Sequence, residues 1–126
     1  MPDQKKIIIA EDDPGMQDVI VLIFERAGYQ VTIFTDGDPI LNNQFEVPDI
    51  FVLDKQLLGV DGLDICRYLK QDERTKNVPV IMLSANPHIG ILSAEAGADD
   101  FLEKPFRTSI LLEKVEVLLK KTEPKK

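Results

Sequence analysis

The sequence lacks several features that whole classes of protein depend on. A single cysteine, Cys66, among 126 residues excludes an internal disulfide and any cysteine-based zinc site. No apolar run approaches the roughly 20 residues of a membrane span, and no charged-then-apolar leader opens the chain. The 15 basic residues against 22 acidic residues give a formal net charge of −7, a poor basis for direct nucleic-acid binding. We therefore expect a cytoplasmic protein without a membrane or nucleic-acid partner.

The composition that remains is that of a folded domain. The chain is 44% hydrophobic and 29% charged, which excludes a disordered chain. Its length is close to the commonest size of one domain and allows a core without disulfides or metals. We predict a single domain over residues 1–126, with a core at about 5–121 and a solvated tail or the start of a linker at 122–126.

Short strand-like runs alternate with helical patterns along the chain. Residues 6–10 (KIIIA) and 49–53 (DIFVL) are apolar, as buried parallel strands are. The alternation predicts a parallel sheet with helices on both faces and a ligand crevice at the carboxyl ends of the strands. The strands are predicted at 6–10, 30–34, 49–53, 78–84 and 99–103, and the helices at 14–27, 36–45, 61–72, 88–96 (interrupted by Gly90) and 106–121.

Charged and hydroxyl side chains stand where the predicted strands end. They are Glu11, Asp12 and Asp13 after the first strand, Asp54 at the third, Ser84 at the fourth and Lys104 at the fifth. Crowded carboxylates repel one another, and Mg²⁺ relieves that repulsion by taking their oxygens as ligands. A carboxylate can form an acyl phosphate, while a lysine and a serine hydroxyl can bind phosphoryl oxygens. The pattern predicts Mg²⁺-assisted phosphoryl transfer to an aspartate.

Each of these residues has a simpler interpretation when it is taken alone. Asp13 fits the N-cap of the helix that Pro14 opens. Lys104 alone fits a surface lysine, and Ser84 alone fits an ordinary strand-end hydroxyl. The prediction of a phosphoryl-transfer site therefore rests on the whole set and on no single member.

Five sequence blocks follow one another in a fixed order. They are 7–14 (IIIAEDDP), 52–54 (VLD) with 59–62 (GVDG), 79–85 (PVIMLSA), 97–101 (GADDF) and 103–106 (EKPF). With these blocks the chain resembles the receiver domain of two-component response regulators, the CheY-like superfamily, over about residues 5–121. The resemblance implies an α/β flavodoxin-like fold. This is a doubly wound three-layer sandwich whose five-stranded parallel sheet has the strand order 2-1-3-4-5.

The same resemblance implies roles for the residues of the phosphoryl site. Asp54 matches the aspartate that is phosphorylated, and Lys104 matches the lysine that contacts the phosphoryl group. Glu11, Asp12 and Asp54 match the side chains that hold Mg²⁺. The backbone carbonyl of Gln56 matches the further protein ligand of the metal.

The resemblance also implies a switch and its partners. Ser84 matches the hydroxyl that moves to the phosphoryl group, Phe101 matches the aromatic switch, and Lys104–Pro105 matches a bond that is cis in the family. A sensor histidine kinase or a histidine phosphotransfer protein would supply the phosphoryl group. The changed surface of helix 4, strand 5 and helix 5 would control a partner or output domain. A homodimer through the apolar last helix is left open, beside a broad core face for that helix.

Three rival functions compete with this one. A receiver-fold interaction module that is never phosphorylated remains the alternative. A haloacid-dehalogenase-type phosphatase would need a second aspartate where Gln56 stands, so we expect no enzyme beyond self-catalysed phosphorylation and dephosphorylation of Asp54. A nucleotide-binding domain would need a G-x-G-x-x-G loop after the first strand, which is absent.

Two residues next to the phosphoryl site depart from the family pattern. Leu58 stands where the family often has proline, and Lys55 stands where apolar residues are more usual. Lys55 either alters the charge or partner choice of the cleft, or points to solvent.

Overall fold

The computed structural model describes residues 4–122, in which strands alternate with helices. The strands of the main sheet are β1 (Lys6–Ala10), β2 (Gln30–Phe34), β3 (Ile50–Asp54), β4 (Val80–Ser84) and β5 (Asp100–Glu103). Two further short strands, Gln56–Leu57 and Val60–Asp61, form a separate hairpin. The helices are α1 (Pro14–Arg26), α2 (Asp38–Leu41), α3 (Gly62–Gln71), α4 (Ile89–Ala96) and α5 (Thr108–Thr122). Within this range, none of the helices combines the length and apolar character that crossing a membrane requires.

The five strands form one parallel sheet in the order β2-β1-β3-β4-β5. This order confirms the predicted doubly wound fold. In the register of the sheet, Ala10 lies beside Leu53 and Ser84 lies beside Glu103. The carboxyl ends of β1, β3, β4 and β5 therefore meet at one edge, where the predicted site residues follow.

Two apolar clusters, one on each face of the sheet, form the core. Successive residues of a strand point to opposite faces, so Ile7 and Ile9 enter one cluster and Ile8 enters the other. The first cluster also contains residues of α1 and α5, and the second contains residues of α2, α3 and α4. This arrangement is the predicted three-layer sandwich. Cys66 lies in the second cluster, where burial raises the pKa of its thiol to about 11.

The structure corrects the bounds of three predicted helices. Helix α2 is one turn long instead of 36–45, because Asn43 just beyond it adopts a left-handed backbone with φ of 58°. Helix α4 runs through Gly90 without interruption, since this glycine lies in the first turn. Helix α5 begins at Thr108 rather than at 106, and it includes Thr122, the first residue of the predicted tail. Residues 123–126 of that tail lie outside the described residues.

Ser93 on α4 is buried, and its hydroxyl has no hydrogen-bond partner among the described residues. The residue is 2% exposed, so the hydroxyl has lost water without gaining a protein contact. We expect Ser93→Ala to raise the free energy of unfolding by about 1 kcal/mol in urea titrations. Thr75→Val is the contrast, because the Thr75 hydroxyl donates to the backbone oxygen of Leu69 at 2.7 Å, and its loss should destabilise. A less stable Ser93→Ala protein would contradict the prediction.

Candidate functional site

Three carboxylates meet at the carboxyl edge of the sheet, where the sequence placed them. Glu11 and Asp12 directly follow β1, and Asp54 is the last residue of the neighbouring strand β3. One carboxylate oxygen from each of the three lies within 4.8 Å of the others. Glu11 is fully buried and Asp54 is 4% exposed, whereas Asp12 is half-buried. The buried apolar runs of the two strands thus end directly in a pocket of negative charge.

Lys104 brings the counter-charge from the other side of the site. It follows β5, and its backbone N–H donates to the Ser84 carbonyl oxygen at 2.8 Å. Its Nζ lies 2.5 Å from Asp54 Oδ2 and 3.2 Å from Glu11 Oε1. Burial lowers the pKa of Lys104, but the hydrogen bond and charge of Asp54, together with Glu11, raise it above its usual value. The ammonium therefore stays charged between the two acids.

One lysine does not neutralise the acidic cluster. Burial, followed by the hydrogen bond and charge of Asp54, raises the pKa of Glu11 to about 7. The Asp13 N–H and the Lys104 ammonium lower that pKa by less than these effects raise it. The surroundings of Glu11 therefore disfavour its ionised form. A cation bound among the three acids would stabilise that form.

Asp54 is held through both of its carboxylate oxygens. Oδ2 accepts from Lys104, and Oδ1 accepts from the backbone N–H of Gln56 at 3.1 Å. The Gln56 side chain is exposed, so this residue reaches the site through its backbone. Its carbonyl as a metal ligand stays a prediction.

The two predicted switch residues lie on neighbouring strands. Ser84 ends β4 and is 3% exposed, and its hydroxyl oxygen accepts from the Asn86 N–H at 2.9 Å. Phe101 on β5 lies beside Met82, two residues before Ser84, and is 40% exposed. Its ring packs over Gly90 of α4 so closely that an added Cβ would lie 3.1 Å from the ring. The aromatic ring is thus outside the core, and its switching role stays a prediction.

The Lys104–Pro105 peptide bond is cis, as the resemblance implies. Asp13 holds the N-cap position of α1, as predicted, but its side chain makes no capping hydrogen bond. Its backbone N–H instead donates to Glu11 Oε2 at 3.2 Å. The backbone of Asp13 therefore stabilises the Glu11 carboxylate, while its side chain does not cap the helix.

Sequence reasoning missed two contacts that support the site. The side-chain amide of Gln17 donates to the backbone oxygen of Glu11. Lys55 does not point freely to solvent, because its Nζ lies 3.0 Å from Asp61 Oδ2. Each contact depends on how a turn folds back, and no spacing in the sequence marks it.

A sequence model of the response regulator receiver domain matches residues 7–116. This match covers most of the chain, so the chain belongs to the response regulator receiver domain family. Receiver domains are the phosphorylation-dependent signalling domains of two-component response regulators. The fold described above is that of this family.

Relatives of the chain agree with this assignment. The chain is 40% identical over 122 residues to the DNA-binding dual master transcriptional regulator RpaA of Synechocystis. That match covers 94% of this chain and 50% of RpaA. The chain spans about half the length of the curated relatives it matches.

Solved structures show the same fold. A putative response regulator from Chloroflexus aurantiacus superimposes with a TM-score of 0.87 at 30% identity, over 94% of this chain and 99% of that one. The receiver domain of sensor histidine kinase PA1611 from Pseudomonas aeruginosa has a TM-score of 0.83 at 28% identity, over 94% and 99%. That receiver domain was crystallised with a magnesium ion coordinated in its active-site cleft.

Proposed function

We propose that this receiver domain is a switch that accepts a phosphoryl group on Asp54 with the help of Mg²⁺. The observation that carries the proposal is the setting of the Asp54 carboxylate. It lies at a strand end, 4% exposed, in contact with Lys104 and within 4.8 Å of two further acids. A nucleophile, a phosphate-binding cation and a place for a metal are thus adjacent.

The residues at this edge fit Mg²⁺. The three carboxylates offer converging oxygens. Burial first, and then the hydrogen bond and charge of Asp54, raise the pKa of Glu11 more than Lys104 lowers it. Asp12, Asp54 and the Gln56 carbonyl would hold the ion, with Glu11 acting through water. When bound, Mg²⁺ supplies positive charge that neutralises the oxygens of the phosphoryl group. The magnesium-bound cleft of the PA1611 receiver domain supports this assignment.

The chemical step is an attack by Asp54 on a phosphohistidine. A bond forms between an Asp54 oxygen and phosphorus, and the phosphorus–nitrogen bond breaks with its electron pair left on the imidazole nitrogen. Lys104 and the Gln56 N–H hold the free carboxylate by its two oxygens, which fixes its orientation for in-line attack. Lys104 also neutralises charge on the transferring group.

The phosphoryl group then biases the conformation of the domain. It adds nearly two negative charges and three acceptor oxygens next to the end of β4. Ser84 would turn from Asn86 to one of these oxygens, and Phe101 would enter the space that Ser84 leaves. The surface of α4, β5 and α5 changes with them. The phosphoryl group needs only to bind one conformation better than the other.

The partners follow from the same proposal. The phosphoryl donor is a sensor histidine kinase or a histidine phosphotransfer protein. The partner that responds is an output domain or effector that binds the surface of α4, β5 and α5. A homodimer through the apolar last helix, α5, stays open. Catalysis is confined to the phosphorylation and dephosphorylation of the domain itself, and the location is the cytoplasm. The regulators RpaA and MtrA, which are DNA-binding proteins, support an output of this kind.

Metal removal tests the proposal directly. We expect acetyl phosphate with Mg²⁺ to add one phosphoryl group to the protein, measured by intact mass, and we expect EDTA to prevent it. Beryllofluoride serves as a stable mimic if hydrolysis outpaces the mass measurement. A protein that gains no phosphoryl group and shows no Mg²⁺-dependent binding of beryllofluoride would refute the proposal and leave the alternative of an unphosphorylated interaction module.

A further inference from the structure

We propose that the ion pair between Lys55 and Asp61 positions the short hairpin beside the phosphoryl site. The active-site hairpin consists of Gln56–Leu57 paired with Val60–Asp61. Lys55 is then a positioning residue for phosphoryl transfer. This inference rests on the proposed function, because it concerns the same site.

The active-site hairpin is short, and only its middle packs against the core. It has two paired positions, Gln56 with Asp61 and Leu57 with Val60, and so short a ladder is marginal in water. Leu57 is buried at 8% exposed, but Leu58 at the tip is 76% exposed. Leu57 and Val60 hold the middle of the hairpin against the second core cluster, which leaves its base to polar contacts.

Lys55 and Asp61 close the base of the active-site hairpin. Lys55 Nζ lies 3.0 Å from Asp61 Oδ2, and the side chains are 20% and 39% exposed, respectively. The other oxygen of Asp61 accepts from the Leu63 N–H at 2.8 Å and so caps α3. The backbone N–H of Lys55 donates to the Leu83 oxygen of β4 at 2.8 Å, and its carbonyl accepts from Gly62 at 2.7 Å. The ion pair thus links a residue fixed on the sheet to a residue fixed on α3.

The Lys55–Asp61 ion pair affects the phosphoryl site through Gln56. This residue follows Lys55, and its N–H donates to Asp54 Oδ1. Its carbonyl is the proposed backbone ligand of Mg²⁺. A hairpin that tilts about its base would move the N–H and the carbonyl together, so the ion pair controls both.

The direction in which Mg²⁺ affinity changes when Lys55 loses its charge separates positioning from a simple charge effect. Lys55 is a cation close in sequence to a cation-binding site, and deleting its charge should tighten Mg²⁺ binding if charge alone matters. If the ion pair positions the ligands, the deletion should weaken binding instead, because the carbonyl of Gln56 is no longer held in place.

The experiment compares Lys55→Met with Lys55→Arg and with a matched control. Lys70→Met removes an ion pair of nearly equal exposure, because Lys70 Nζ lies 2.8 Å from Asp99 Oδ2 with side chains 17% and 37% exposed. That pair lies at the opposite edge of the sheet, where Asp99 also accepts from the first residue of β4, Val80. Mg²⁺ affinity is measured by calorimetry on the 126-residue chain of each variant, and amide hydrogen exchange is measured in EDTA.

We expect Lys55→Met to weaken Mg²⁺ binding about fivefold and to speed exchange of the Gln56 and Gly62 amides about threefold. Lys55→Arg should restore both values, and Lys70→Met should change neither. Unchanged or tighter Mg²⁺ binding in Lys55→Met overturns the inference, as does equal weakening in Lys70→Met. If the wild type itself binds no Mg²⁺, the proposed function fails, and the exchange rates in EDTA still decide whether Lys55 anchors the active-site hairpin.

Discussion

Asp54→Asn is expected to abolish phosphorylation by acetyl phosphate in the presence of Mg²⁺. The amide keeps the shape of the carboxylate, but its single oxygen can accept from only one of Lys104 and the Gln56 N–H, which donate to different oxygens of Asp54. It lacks the negative charge and nucleophilicity of the carboxylate, so no acyl phosphate forms. Intact mass after incubation should show only the unmodified protein, whereas the wild type gains one phosphoryl group.

Asp13→Asn is the matched control for this substitution. Asp13 is exposed and lies close in sequence to the same edge, but its side chain is not part of the acidic cluster. We expect this variant to be labelled like the wild type. A phosphoryl group that persists on Asp54→Asn would contradict the assignment of Asp54, and peptide mapping would then locate the true acceptor. Loss of labelling in both variants would show that labelling depends on the total negative charge at this edge and not on Asp54 alone.

Gly62→Ala is expected to destabilise the domain and to impair the phosphoryl site together. A Cβ at this first residue of α3 would lie 2.0 Å from the backbone oxygen of Asp54 and 3.0 Å from Cα of Lys55. Backbone atoms cannot swing aside as the end of a side chain can, so β3 or α3 must shift. We expect the free energy of unfolding to fall by about 3 kcal/mol, measured by urea titration. Because the displaced oxygen belongs to Asp54, Mg²⁺ affinity should fall as well.

Gly15→Ala separates this clash from any general intolerance of alanine. Gly15 lies in the first turn of α1, where the nearest atom to an added Cβ is Asp13 Oδ1 at 3.9 Å. Alanine favours helix, so the control should be as stable as the wild type or slightly more stable. Wild-type stability in Gly62→Ala would contradict the packing described for this position.

The strands and the edge that carries the site could be predicted from the sequence because their signals are local. Short β-branched apolar runs such as 6–10 favour a buried strand, and the acids that follow them then lie at the sheet edge. Parallel topology brings Glu11 and Asp54 together with Lys104 from distant parts of the chain. The individual chemical roles of Ser84 and Phe101 come only from the family resemblance.

Other features escaped prediction because they depend on contacts across turns. The side-chain amide of Gln17 donates to the Glu11 carbonyl, a contact that the helical pattern of α1 does not predict. The pairing of Lys55 with Asp61 requires a hairpin that no alternation of polar and apolar residues predicts. The sequence predicts a break in α4 at Gly90, but a glycine in a first turn interrupts no hydrogen bond of the helix, and Phe101 packs over it.

The position of Lys104 late in the sequence has a consequence for the order in which the domain is made. This lysine stands 93 residues after Glu11 and 50 after Asp54. A ribosome therefore releases both acids, and the strands that would bury them, well before their counter-ion emerges. Burying an unpaired carboxylate costs several kcal/mol, so a nascent sheet of β1 and β3 alone is held back. Docking of β5 brings Lys104 to the two acids and removes that penalty. The acidic cluster can therefore be buried only after residue 104 has been made.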